Sequence, residues 1–140
     1  MLEKVFLDTD IVLDFLLGRE PFFDEAVDVM FLAEDRKIKC LASPLSFSNI
    51  FYIVSRLENP KFALKTLHRL RSIVSLSPVN EKIVDSALIS EFKDFEDAIQ
   101  YYSAEKYQVD CLLTRNKKDY FKSQIPVLSA REYLSQRGLL

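Results

Sequence analysis

Three short polar clusters hold most of the side chains that could do chemistry in this chain. Asp8-Thr9-Asp10 follows an apolar run, Asp94-Phe95-Glu96-Asp97 precedes another, and Thr114-Arg115-Asn116-Lys117-Lys118-Asp119 follows a third. Apart from the cations Arg115, Lys117 and Lys118, they offer carboxylate, amide and hydroxyl oxygens, with no histidine or cysteine among them. Hard oxygen donors of this kind select Mg²⁺ or Mn²⁺ over zinc. A carboxylate cradle around such a cation suits phosphodiester hydrolysis, because the metal neutralises phosphate charge, polarises phosphorus and acidifies water.

Each cluster also has a structural reading. Asp8, Thr9 and Asp10 are good residues for a helix start, where the macrodipole favours negative charge. Asp94 and Asp97 stand three apart, as in a capping box, and Asn116 and Asp119 repeat that spacing. A cap needs only one oxygen, however, and crowded carboxylates repel unless a proton or cation intervenes. Lys117 and Lys118 suit either a solvated face or contacts to a phosphate backbone. At this level both readings of the clusters stand.

The clusters need a scaffold, and the hydrophobic pattern supplies one. Short runs at Lys4–Leu7, Ile38–Ala42, Val74–Leu76, Cys111–Leu113 and Ile125–Leu128 are too short for helices and read as buried strands. Between them run helical stretches at Ile11–Leu17, Phe22–Asp35, Pro44–Leu57, Pro60–Ser72, Asn80–Glu91, Asp94–Lys106 and Ser129–Arg137. Ser43-Pro44 and Asn59-Pro60 are start signals, and Gly138 is a stop signal. Strands alternating with helices predict an α/β fold with a parallel sheet. Such sheets place ligands at the carboxyl ends of their strands, where Asp8 and Thr114 fall.

Composition narrows the possibilities further. At 140 residues the chain reads as one domain over residues 1–140, with 49% apolar and 29% charged residues. Two glycines leave little room for a glycine-rich phosphate loop, and a net charge of −2 gives no global attraction to nucleic acid. No apolar run approaches the roughly 18 residues of a membrane span. Glu3 and Asp8 break the pattern of a secretory signal, and Cys40 and Cys111 sit in strand-like runs as buried thiols, so a reducing cytoplasm is expected.

The segments VFLDTDIVLDFLLGREPFFDEA, SPLSFSNIFYIV and DFEDAIQYYSA…VDCLLTRNKKDY resemble, in that order, the PIN domain family, and most closely its bacterial VapC-like toxin branch. The resemblance runs from about residue 4 to 134. It implies a three-layer αβα sandwich around a central parallel sheet, and an endoribonuclease that depends on Mg²⁺ or Mn²⁺. Asp8, Asp97 and Asp119 match the family's metal-binding acids. Asn116 falls where the family carries a carboxylate, and Asn49 where it carries its second acid. Asp10, Glu96, Asn49 and Thr114 are possible helpers. The implied partners are RNA, a cognate antitoxin that inserts a basic side chain into the site, and a second copy of the chain. Two amides in place of acids also raise the alternative of a weakened domain that binds RNA or protein without cutting. VFLDTDIVL further resembles the Asp-x-Asp nucleophile of haloacid-dehalogenase phosphatases, but the later motifs of that family do not follow.

The remaining polar and aromatic groups have plainer readings. His68, flanked by Lys65, Arg69 and Arg71, belongs to a basic helix face that suits solvent, an RNA strip or antitoxin docking. Phe47, Phe51, Tyr52, Tyr101 and Tyr102 recur at helical spacing and read as core or subunit interface. Ser46 and Ser48 read as a polar helix face, or as groups orienting water near Asn49.

Overall fold

Side-chain alternation along the strands builds the architecture. In the computed structural model, which describes residues 1–140, the apolar runs form β1 (Glu3–Leu7), β2 (Ile38–Ala42), β3 (Ser75–Leu76), β4 (Cys111–Leu113) and β5 (Val127–Leu128). The five strands make one parallel sheet in the order β3-β2-β1-β4-β5. Val5, Leu7, Cys40, Ala42, Cys111 and Leu113 face one side, where α1 (Thr9–Leu17), α2 (Phe23–Glu34), α3 (Pro44–Leu57), α4 (Pro60–Ile73) and α7 (Ala130–Gln136) pack. Phe6, Leu41 and Leu112 face the other side, against Tyr101, Ala104 and Tyr120. That side is covered by α6 (Phe95–Lys106), onto which α5 (Glu81–Leu88) packs. The expected three-layer αβα sandwich is therefore present. Fully burying a side chain such as Phe6 or Leu112 contributes roughly 1.5–3 kcal/mol.

The caps legible in the sequence are made. Ser43 and Asn59 accept from the backbone N–H groups of Leu45 and Phe62. Ser129 forms a complete capping box with Glu132. The helix α5 and the strand β5 are shorter than their patterns suggest. α5 stops at Leu88 because the Ser90 hydroxyl donates to the Ala87 carbonyl at 2.9 Å, a side-chain bond that competes with the helix. β5 starts at Val127 because the Ser123 hydroxyl takes both backbone groups of Ile125, at 2.7 and 3.0 Å. One element was not foreseen: a 3₁₀ turn over Lys117–Tyr120.

Val5 pairs with Cys40 on one side and Cys111 on the other, so the two buried, free thiols sit on either side of the central strand. Burial pushes the Cys111 thiol up to about 12, which makes it inert. From β1 the chain winds outward to β2 and β3, then returns across the sheet to β4 and β5. The reversal lies between β1 and β4, and the crevice there opens at their carboxyl ends.

Candidate active site

Asp8 is the first residue beyond β1, and its position is tied to the sheet. Its backbone N–H still donates to the Leu113 carbonyl at 2.9 Å, extending the β1–β4 pairing by one residue. Its carboxylate, 6% exposed, caps α1 through Oδ1, which accepts from the Thr9 N–H at 2.7 Å. The capping reading of Asp8 is thus realised in the structure. Gln100 Nε2 donates to the same Oδ1 at 3.0 Å, and the Thr114 hydroxyl donates to Oδ2 at 2.8 Å. Ser46 connects the next layer: its hydroxyl lies 2.6 Å from that of Thr9 and donates to Gln100 Oε1 at 3.1 Å.

Asp97 faces Asp8 from the first turn of α6, where Asp94 is the cap and accepts from the Asp97 N–H at 2.9 Å. The buried Tyr120 hydroxyl sits between the two carboxylates, 3.2 Å from Asp8 Oδ2 and 3.3 Å from Asp97 Oδ1. Its one proton can serve only one of them at a time. Asp10 stands beside this pair. Asp10 Oδ2 accepts from the Arg115 N–H at 3.1 Å and from Asn116 Nδ2 at 3.3 Å, while Oδ1 is buried with no hydrogen-bond partner. Asn49 and Glu96 meet across α3 and α6, with Asn49 Nδ2 donating to Glu96 Oε1 at 2.6 Å.

The structure thus brings Asp8, Asp10, Asp97, Thr114 and Asn116 together, with the Asn49–Glu96 pair alongside. Asp119 lies on the exposed rim, in a small hollow with Lys93 and Lys118. Lys117 is engaged with Glu132 at 2.9 Å. Ser48 is exposed, as are His68, Lys65, Arg69 and Arg71 along α4. Of the aromatic residues, Tyr101 is core, while Tyr52 is exposed beside Arg56. Sequence reasoning missed Gln100, Tyr120 and the pair Asp14–Arg115. Gln100 follows Asp97 by three residues, so it shares its helix face, and that spacing was the one available signal.

The electrostatics are those of crowded acids. Burial and the charge of Asp8, with smaller contributions from Asp94 and Asp119, push Asp97 up to about 7, although the Tyr120 hydrogen bond opposes the rise. Burial and Asp8 also push Asp10 up to about 6, against the pull of Arg115. Glu96 is raised by burial, Asp94 and Asp8. The unfolded chain releases these aspartate protons near 3.8, whereas the folded chain holds the one on Asp97 to about 7. Folding stability must therefore fall as pH rises through that window. The metal-free protein is expected to melt at a lower temperature at about pH 8 than at about pH 5, and Asp97→Asn should flatten that slope. Thermal unfolding by circular dichroism, with chelator present, would check both.

No three acidic side chains converge into a closed metal cage. The donor set nevertheless suits a hard cation: the candidate ligands are carboxylate oxygens with no histidine or cysteine beside them, a buried oxygen of Asp10 is unpartnered, and burial and mutual charge push Asp10 and Asp97 toward protonation. Mg²⁺ commonly takes one or two protein carboxylates and fills the rest of its shell with water and phosphate, so a closed cage is not required.

The chain is similar to known proteins along most of its length. Residues 4–118 match the family model described as "PIN domain". Ribonuclease VapC1 of Aquifex aeolicus is 26% identical over 143 aligned positions, spanning 99% of this chain and 98% of that protein. Among solved structures, a toxin–antitoxin complex from Klebsiella pneumoniae matches with a TM-score of 0.68 at 22% identity, over 90% of this chain and 97% of that one. Mycobacterium tuberculosis VapC20, a toxin that cleaves the sarcin–ricin loop, matches with a TM-score of 0.61 at 16% identity, over 77% of this chain and 86% of that one.

Proposed function

The chain belongs to the PIN domain family, and we propose that it is a divalent-metal-dependent endoribonuclease, the toxin of a toxin–antitoxin pair, with residues 1–140 working as one domain. The carrying observation is the pair of carboxylates, Asp8 and Asp97, held across the switch-point crevice and joined through the Tyr120 hydroxyl. The relative named as a ribonuclease and the structural neighbours in toxin–antitoxin complexes support the same reading.

Asp8 and Asp97 would hold Mg²⁺ or Mn²⁺, with Asp10 and Glu96 beside them and Asp119 approaching from the rim. When bound, the cation supplies positive charge at the phosphate and lowers the pKa of the attacking water. The chain itself fixes geometry. Thr114 and Gln100 hold the two oxygens of Asp8 in one orientation, and the sheet sets its position through the Leu113 carbonyl. Tyr120 keeps Asp8 and Asp97 together while they would otherwise repel. Lys118, and Lys117 once released from Glu132, are the candidate contacts to the RNA backbone.

The amide at Asn49 does not leave its corner of the site uncharged, because it holds the Glu96 carboxylate at 2.6 Å. In this arrangement α6 supplies an acid that α3 lacks. Glu96→Gln is then expected to weaken Mn²⁺ binding about tenfold, in the range seen for residues that support metal sites. Combining it with Asn49→Glu should restore much of the loss, because the carboxylate returns from the other helix. Isothermal calorimetry with Mn²⁺ reads this without any RNA; equal affinity in all variants would remove Glu96 from the site.

The direct test of the function is cleavage of end-labelled RNA by purified protein with Mn²⁺, beside Asp97→Asn protein prepared in parallel. A second reading, a module that binds RNA or protein without cutting, is motivated by the amides Asn49 and Asn116 standing where acids are expected. RNA bound but uncut across a Mn²⁺ titration would establish it.

For the partner, a groove of about 470 Å³ between α1, α3 and α4 is lined by Phe15, Leu17, Val54, Leu57, Phe62 and Ile73. It suits the apolar face of an antitoxin helix, and a basic side chain from the same partner would suit the acids of the crevice. No helix of the chain is long and apolar enough to cross a membrane. We further infer a homodimer working in a reducing cytoplasm, where Cys40 and Cys111 remain thiols.

A further inference from the structure

A second concavity adjoins the acidic crevice. It has a volume of about 430 Å³ and lies between α1, the connection from α1 to α2, the start of α7 and the segment after β4. A cleft of this size holds a small organic group. Asn116 belongs to both places: it lines the cleft, and its Nδ2 donates to Asp10 at 3.3 Å. Anything seated in the cleft therefore lies next to the acids.

The cleft is apolar at its base, where Ile11, Ala26 and Ala130 are buried. One wall is a stacked pair, with the Arg115 guanidinium 4.1 Å from the centre of the Phe22 ring. That wall is set in advance, because Arg115 is also clamped to the fully buried Asp14: its Nη2 donates to Oδ1 at 3.0 Å, and its Nε lies 2.9 Å from Oδ2. The opposite edge carries a second ion pair, in which Arg131 Nη1 donates to Glu25 Oε1 at 3.0 Å.

These pairings decide what the cleft can take. Both guanidinium groups already have a carboxylate beside them, so their charge is largely neutralised and a phosphate would meet repulsion from Asp14 or Glu25. A flat neutral ring has no such cost. It can stack on the Phe22–Arg115 wall through dispersion and cation–π attraction, and a hydrogen-bonding edge can meet the donor and acceptor offered by Arg131 and Glu25.

We propose that this cleft seats one nucleobase of the RNA strand, next to the phosphate that is cut, and that Glu25 and Arg131 read the edge of that base. The choice of ligand rests on the RNA-cleaving function proposed above, since the cleft adjoins those acids. The seat itself is defined by its own residues and can be tested without cleavage.

The experiment is a titration of ¹⁵N-labelled protein, without metal, using the 5′-monophosphates of adenosine, guanosine, cytidine and uridine, with inorganic phosphate as control. Nucleotides should shift the amide resonances of Phe22, Asn116 and Ala130, and phosphate should leave them unmoved. Phe22→Ala should weaken the nucleotide response at least tenfold. Phe22 is partly exposed at a helix start, so this variant is expected to fold, and its spectrum shows whether it does. Glu25→Gln, which exchanges an acceptor for a donor, should reorder the four nucleotides. Equal shifts with phosphate, no shifts at these amides, or an unchanged response in folded Phe22→Ala protein would overturn the seat. Cleavage assays separate the two proposals. RNA cut by Phe22→Ala protein at unchanged sites and rates would overturn the seat and keep the nuclease. Nucleotide binding here with no RNA cleavage by the wild type would keep the seat and overturn the nuclease.

Discussion

Asp97→Asn is expected to reduce Mn²⁺-dependent RNA cleavage by about 10²–10³-fold or more, the size of effect seen when one group that stabilises developing charge is removed. The same substitution should raise the melting temperature of the metal-free protein near neutral pH. The two effects have one origin. Asp97 is pushed up to about 7 because burial and Asp8 both oppose its charge, so the folded chain carries an electrostatic cost that an amide does not. A cation would turn that cost into binding energy, and the amide forfeits it. Such an inverse relation between stability and activity is common where acids are crowded for function. Parallel melting curves and cleavage assays on the two proteins test it. Loss of activity accompanied by loss of stability would instead mark Asp97 as a structural residue of α6.

The largest stability effect is expected away from the acids. Arg115→Ala should cost about 3 kcal/mol, at the lower end of what breaking a buried ion pair costs, because Arg115 is partly exposed. The loss is large because Asp14 stays behind, fully buried in α1 and stripped of its cation. Burial already holds the Asp14 carboxyl above its ordinary range even with Arg115 beside it. Urea unfolding measures the change, and a drop in midpoint of about 1 M or more is expected from slopes typical of small proteins. Adding Asp14→Leu to Arg115→Met should recover most of the loss, because two apolar side chains carry no desolvation penalty. A single variant as stable as the wild type would show that water, rather than Arg115, satisfies Asp14.

The fold was legible because its signals are local. Strands of continuous apolar residues, Pro after a capping residue, and Ser129 three residues before Glu132 each act within a few positions. Asp8 and Asp97 were legible for a similar reason, as acids at a strand end and a helix start. The rest of the site depends on encounters across the fold. Asp14 reads as an ordinary polar position in an amphipathic helix, and only the partner Arg115, brought by β4, lets it be buried. Gln100 reads as the polar residue of an apolar helix face until Asp8 and Ser46 are seen to need it. Tyr120 was hidden because the spacing of Asn116 and Asp119 suggested a cap. Asn116 does precede the 3₁₀ turn but makes no side-chain cap bond, and the turn serves to carry the tyrosine inward. Asp119, matched to a family acid by position, stays at the rim.

The bonds that orient Asp8 reach far along the chain: Gln100 is 92 residues away, Thr114 is 106 and Tyr120 is 112. A ribosome making this protein therefore emits Asp8 long before any residue that can hold it. Helices α1 to α5 and the first three strands can emerge and begin to fold while the crevice has only one wall. The carboxylate pair assembles only after β4 inserts beside β1, a pairing of high sequence separation that is costly in loop entropy and therefore slow. On the reading of this chain as a nuclease toxin, a nascent chain is harmless to the RNA of the ribosome that carries it until the residues through Tyr120 have emerged.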